Sequence, residues 1–148
     1  MNFKATQQTD VYAFGVLVLE IVTGKKALQN DAQFDHLIDW VWHLHHKGRL
    51  LEAVDGELVP AGNGAELFNA EEARRLLLLG LACSNPNPSD RATMVEAVQV
   101  IAKSAPAPDV PLEKPRIVCY PPLEGGSASE STDFVTAWNS LQIGSSMV

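Results

Sequence analysis

The sequence predicts an all-α body followed by a tail, and three observations carry that reading. Apolar residues recur at helical spacing in four separate stretches. Residues that start or stop helices bound those stretches. No run of alternating apolar and polar residues marks a convincing strand, and no repeat is visible.

The first element is "TDVYAFGVLVLEIVTG", residues 9 to 24. Thr9 or Asp10 can cap a helix running to about Thr23, and Gly24 is the expected stop. Val16, Leu17, Val18, Leu19, Ile21 and Val22 leave almost no polar face, and a helix apolar all round is a buried helix. Gly15 stands inside it at a cost of about 1 kcal/mol relative to Ala, so something other than helix propensity has selected it.

In "FDHLIDWVWHLHHKGRLLEAVD", Leu37, Trp40, Val41 and Leu44 fall at helical spacing up to Gly48, and Leu50 to Val54 begin a second short helical piece. "VPAGNGAELF" reads as a loop through Pro60, Gly62 and Gly64. Asn69 caps "AEEARRLLLLGLAC", whose Glu71 and Glu72 lie near the positive end of the helix dipole. "SNPNPSDR" is a turn-rich connector. "ATMVEAVQVIAK" is a last amphipathic helix with Met94, Val95, Val98 and Ile101 on its apolar face. From Ser104 the composition changes. "APAPDVPLEKP" favours extended polyproline geometry and "EGGSASESTD" is flexible and acidic. The expected division is a helical body over 1–103 and a mostly disordered tail over 104–148, with a short contact through Val118, Tyr120 and Trp138.

Composition narrows the function classes. A length of 148 residues suits one domain, and 46% hydrophobic residues can supply its core. The formal charge of −7 argues against a nucleic-acid surface. The doublets Lys25-Lys26 and Arg74-Arg75 read as solvated faces. "MNFKATQQTD" lacks the apolar centre of a signal peptide, and no apolar run approaches the roughly 18 residues of a membrane span. Of the two cysteines, Cys83 and Cys119, the first lies in an apolar helical run and reads as reduced and buried. A cytoplasmic setting is expected.

The sequence lacks the common catalytic signatures. No phosphate-binding G-x-x-x-x-G-K-[ST] occurs, and Gly62/Gly64 lacks the third glycine of a dinucleotide fingerprint. His43 and His46 lie three apart on one helical face with Asp39 one turn earlier, but zinc needs a further ligand and an oriented outer shell. No metal site is expected. "DFV" at Asp133 to Val135 lacks the glycine of a magnesium-binding Asp-Phe-Gly.

Two constellations remain: Asp10-Val11-Tyr12-Ala13-Phe14-Gly15 ahead of the apolar helix and Thr23-Gly24, and "CSNPNPSDRATM" at 83–94. At this separation they resemble subdomains IX and XI of eukaryotic protein kinases, in particular the plant receptor-like kinases. "LIDWVWHLHHKGRLLEAVD" and "APAPDVPLEKP" are similar to the legume (L-type) lectin-domain receptor kinases. The resemblance spans about residues 5 to 120. It implies the C-terminal helical portion of a kinase large lobe.

The resemblance also implies structural positions. Asp10 matches an Asp that holds the catalytic loop by its backbone; from spacing alone it reads equally as a helix cap. Gly15 would permit close approach of neighbouring backbone. Arg91 matches an Arg that forms a buried pair with the Glu of an Ala-Pro-Glu motif, which suits a forked guanidinium. With that Glu absent, Asp10, Asp90 and Glu96 are the candidate substitutes. Ala92 stands where the family usually has Pro.

The Gly-rich loop, strand Lys, catalytic Asp and Asn, and magnesium-binding Asp of a kinase all precede the first motif, and this sequence begins nine residues before Asp10. No catalytic, cofactor-binding or metal residue is therefore expected here. ATP and Mg²⁺ belong to the intact family. The expected function is a fragment of a lectin receptor-like Ser/Thr kinase, inactive alone; the alternative is a non-catalytic helical module that binds kinases or their partners. Partners would be proteins such as missing lobe segments, other kinases or substrates, without nucleic acid or a membrane segment. The intact family sits at the plasma membrane with its kinase on the cytoplasmic side. An apolar helix with so few helices around it further predicts loose packing.

Overall fold

The computed structural model describes residues 6–28, 34–59 and 69–117. Four helices carry them: α1 (Gln7–Thr23), α2 (Leu37–His46), α3 (Ala70–Cys83) and α4 (Met94–Ile101). Short 3-10 turns at Leu50–Ala53, Gly56–Leu58 and Pro88–Asp90 join them, and among the described residues there is no strand, only one bridge between Leu28 and His36. The described residues all belong to one compact unit. The all-α reading holds.

Local chemistry sets the helix ends. Gly24 closes α1 in the left-handed region (φ 65°), its N–H donating to Glu20 O at 2.9 Å. Asn69 opens α3, its side-chain oxygen accepting from Glu71 N–H at 3.0 Å and Glu72 N–H at 3.2 Å. The start of α1 differs from expectation. Thr6, not Thr9 or Asp10, is the cap: its hydroxyl accepts from Thr9 N–H, and Thr6 N–H donates to Thr9 Oγ1 at 2.8 Å. This reciprocal box uses Thr in the place usually taken by Glu or Gln, so the sequence does not carry the usual capping-box pattern.

The core has two parts. Leu19 and Val22 of α1 meet Leu37, Val41, Trp42 and Leu44 of α2, Leu50 and Ala53 of the following turn, and Leu77, Leu78 and Leu81 of α3. A smaller cluster joins Val11 to Leu79, Cys83, Ala97 and Val100. Leu19, Leu37, Leu77, Leu79 and Leu81 lose all solvent exposure.

Two helices are rotated from the sequence reading. α1 is not enclosed on all sides: Val11, Gly15, Val18, Leu19 and Val22 are buried, while Leu17 (51% exposed) and Ile21 (66%) turn outward. An all-apolar helix offers no polarity to mark its inner face, so the choice falls to packing. On α4, Ala97 and Val100 face the core and the expected apolar face of Met94, Val95, Val98 and Ile101 is exposed. Ala97 is small enough to seat the helix against Leu79 and Cys83.

Residues 104–117, expected within the tail, form a strap without helix or strand that packs on the helices. Ala107 and Val110 pack on the larger cluster and Ala105 on the smaller. Val118, Tyr120, Trp138, Cys119, Asp133–Val135 and the loop at Pro60, Gly62 and Gly64 lie outside the described residues.

The rotation of α1 is testable by urea unfolding. Leu19→Ala should remove about 2–5 kcal/mol, as for other fully buried leucines. Ile21→Ala should stay within about 0.5 kcal/mol of the parent. Equal losses would mean that the outward face of α1 is covered.

Candidate functional site

Gly15 lies where α1 crosses α3. A Cβ built on it would stand 2.7 Å from Cys83 Cβ, 2.8 Å from Gly80 O and 2.9 Å from Ser84 N. The partner position on α3 is also glycine: a Cβ on Gly80 would meet Leu19 Cδ2 at 2.5 Å and Gly15 O at 3.3 Å. Backbone therefore meets backbone, and no side chain fits between. Around the crossing, hydroxyls satisfy carbonyls. Ser84 Oγ donates to Gly80 O at 2.7 Å, and Thr23 Oγ1 donates to Leu19 O at 2.8 Å.

Cys83 sits beside this contact with no solvent exposure. Burial, reinforced by the negative charge of Glu96, pushes its thiol up to about 11. It remains a neutral small hydrophobe, not a nucleophile.

Arg91 ties the connector after α3 to the start of α1. Its Nε donates to Asn85 O at 2.8 Å and its Nη1 to Gln8 O at 2.9 Å. The guanidinium lies 4.8 Å from the centre of the Tyr12 ring, within cation–π range. Burial lowers the guanidinium from its ordinary value, opposed by Tyr12. The Tyr12 phenol is raised, chiefly by burial; Arg91 lowers it and Asp39 raises it.

None of the expected substitute acids pairs with Arg91. Asp90 accepts from Asn87 Nδ2 at 2.7 Å, and Glu96 accepts from Thr93 N–H at 2.7 Å, which holds its carboxyl below the usual range. Asp10 is exposed in the first turn of α1, one helical stripe with Ala13, Leu17 and Ile21. The structure thus brings Arg91 to the N-terminal end of α1, near Tyr12, and places Gly15 one turn deeper at the helix crossing. Among the described residues no group of three metal-ligating side chains converges. Asp39 instead pairs with Lys114, and the His43 ring lies 5.2 Å from that of Phe34.

One residue escaped the sequence reading. His45, between the two histidines weighed as ligands, is buried, and its Nε2 donates to Val110 O at 3.2 Å and Pro111 O at 3.1 Å. Its place on the buried face with Leu37, Val41 and Leu44 was the available signal. The arrangement as a whole is mechanical: a glycine-packed post, an arginine tie at its upper end, and a strap held across its neighbours.

No protein-family model matches the chain. The chain is 43% identical over 124 residues to the probable L-type lectin-domain containing receptor kinase S.5 of Arabidopsis thaliana, covering 80% of this chain and 18% of that protein. It is 39% identical over 120 residues to the L-type lectin-domain containing receptor kinase VIII.2 of the same plant, covering 76% and 16%. Among solved structures it matches the pseudokinase domain of BIR2, an immune regulator of the RLK/Pelle family, with TM-score 0.56 and 31% identity, covering 70% of this chain and 29% of that one. The chain spans less than a fifth of the length of these curated relatives.

The Arg91 tie gives a measurable expectation. Two hydrogen bonds to backbone carbonyls, partly exposed, suggest a loss of about 1–2 kcal/mol for Arg91→Leu in chemical denaturation. Arg91→Lys should recover little of it, since an ammonium does not fork to two carbonyls and stack on Tyr12 together. A loss of about 3–5 kcal/mol would instead reveal a buried acidic partner.

Proposed function

Since this chain belongs to the L-type lectin-domain receptor kinase family, we propose that it forms the lower helical part of a Ser/Thr kinase large lobe and transfers no phosphate by itself. The observation that carries this reading is the outward stripe of α1, where Asp10, Ala13, Leu17 and Ile21 face away from the core that the opposite side of the same helix builds. Such a helix is finished on one side and open on the other. It serves as a post on which a further layer of the lobe rests, with the Asp10 carboxylate in line to hold a backbone loop. Gly15 sets the post against α3 and Arg91 steadies its upper end.

In the intact relative, ATP and Mg²⁺ would supply and activate the γ-phosphate, and Ser or Thr hydroxyls of a protein substrate would receive it on the cytoplasmic side of the plasma membrane. The groups that such chemistry needs for nucleotide phosphates, Mg²⁺ and the substrate proton are not found in these 148 residues. Among the described residues no helix is long and apolar enough to cross a membrane.

A second reading is a non-catalytic module that binds kinases or their partners. The exposed Met94, Val95, Val98 and Ile101 of α4 favour it, because apolar stripes of this kind mark protein contacts. An in-frame upstream sequence encoding His-Arg-Asp and Asp-Phe-Gly would support the first reading. A transcript starting at Met1 would support the second.

The catalytic part of the proposal is tested by titrating the purified chain with a fluorescent ATP analogue and Mg²⁺. No saturable response is expected. Saturation in the micromolar range would overturn it.

A further inference from the structure

The strap at 104–117 is held on the helices by a particular set of contacts. Its polar anchors are backbone carbonyls. Ala105 O accepts from Arg75 Nη1 at 2.6 Å, while Val110 O and Pro111 O share His45 Nε2. Its apolar anchors are small: Ala105, Ala107 and Val110, all only half-buried. One side-chain pair, Lys114 with Asp39, fixes its direction.

Each of the three apolar anchors directly precedes a proline, as does Lys114. Residues before proline are confined to extended backbone, so the strap is shaped before it docks and loses little entropy on docking. The surface beneath is the converse: rigid helices, a buried His45 and Arg75 aimed at carbonyls. Trp42 lies in the same cluster, its ring 5.9 Å from that of His45, and its buried indole N–H has no acceptor among the described residues.

We propose that this face of α2 and α3 is a binding site for an extended proline-rich peptide, and that residues 105–114 occupy it as a ligand in cis. Aromatic-lined faces with donors for carbonyls are a recurring solution for such peptides. Recognition through carbonyls and small residues reads shape more than sequence. A peptide of the pattern Ala-Pro-Ala-Pro-x-Val-Pro with a basic residue three places on would fit equally from another molecule once the strap is released. Tethering directly after α4 gives the strap a millimolar or higher effective concentration, so the parent site is occupied unless the strap is weakened.

The test uses the full isotope-labelled chain and the unlabelled peptide SAPAPDVPLEKPRI, residues 104–117, followed by NMR. Val110→Asp places a charge against the core and should free the strap. That variant should then show saturable shifts at His45 and Arg75 at peptide concentrations at least tenfold below any that perturb the parent. Adding His45→Ala should weaken the binding roughly tenfold. If Val110→Asp does not melt cooperatively, Val110→Ser takes its place. A cooperatively folded variant without peptide response at His45 and Arg75 overturns the proposal. So does a response that His45→Ala leaves unchanged.

Discussion

The contact of Gly15 with Gly80 governs the rest of the molecule. A side chain at either position would push against backbone or against Leu19, so α1 and α3 approach closely enough to leave no room for a Cβ between them. That approach fixes which side of α1 becomes interior. Once Gly15 faces α3, Val11, Val18, Leu19 and Val22 turn inward by helical periodicity, and Leu17 and Ile21 turn out. The two clusters of the core follow, one on each side of the crossing. A glycine in a helix is unfavourable in isolation, and here it is the condition for dense packing around it.

The same constraint explains how a short chain presents both a closed core and open apolar faces. α3 is spent against α1 over most of its length, and α4 seats on what remains through Ala97 and Val100. The larger side chains of α4 then have nowhere to go but outward. The strap covers part of the opposite flank through carbonyls given to Arg75 and His45. Hydrogen bonds to this segment close a surface that no other helix among the described residues covers.

Much of the fold was legible because much of it is decided locally. Gly24 and Asn69 act within one helical turn, and their chemistry can be read from neighbouring letters. The rotations of α1 and α4 were not legible. Periodicity finds a face but does not say which face lies inward when both are apolar, as around Val16 to Val22, or when the inward residue is a small Ala97 beside larger neighbours. The docking of the strap was not legible for a related reason. Proline-rich composition signals extended backbone, but its anchors at His45 and Arg75 lie far away in sequence. In the site, the cost of glycine at 15 was visible, whereas its partner Gly80 could be named only after the helices crossed. Arg91 was marked by resemblance; its partners, Gln8 O, Asn85 O and the Tyr12 ring, are set by tertiary structure.

The central claim is that two glycines hold α1 against α3, and a double-mutant cycle tests it most directly. Gly15→Ala, Gly80→Ala and the double variant would be compared by urea unfolding. In an open helix each change to Ala would stabilise by about 1 kcal/mol. Here each should destabilise by about 1–3 kcal/mol through overpacking. Because the first alanine already parts the helices, the double variant should lose less than the sum of the two, by at least about 0.5 kcal/mol. Stabilisation by either alanine, or strict additivity of the two losses, would contradict the account.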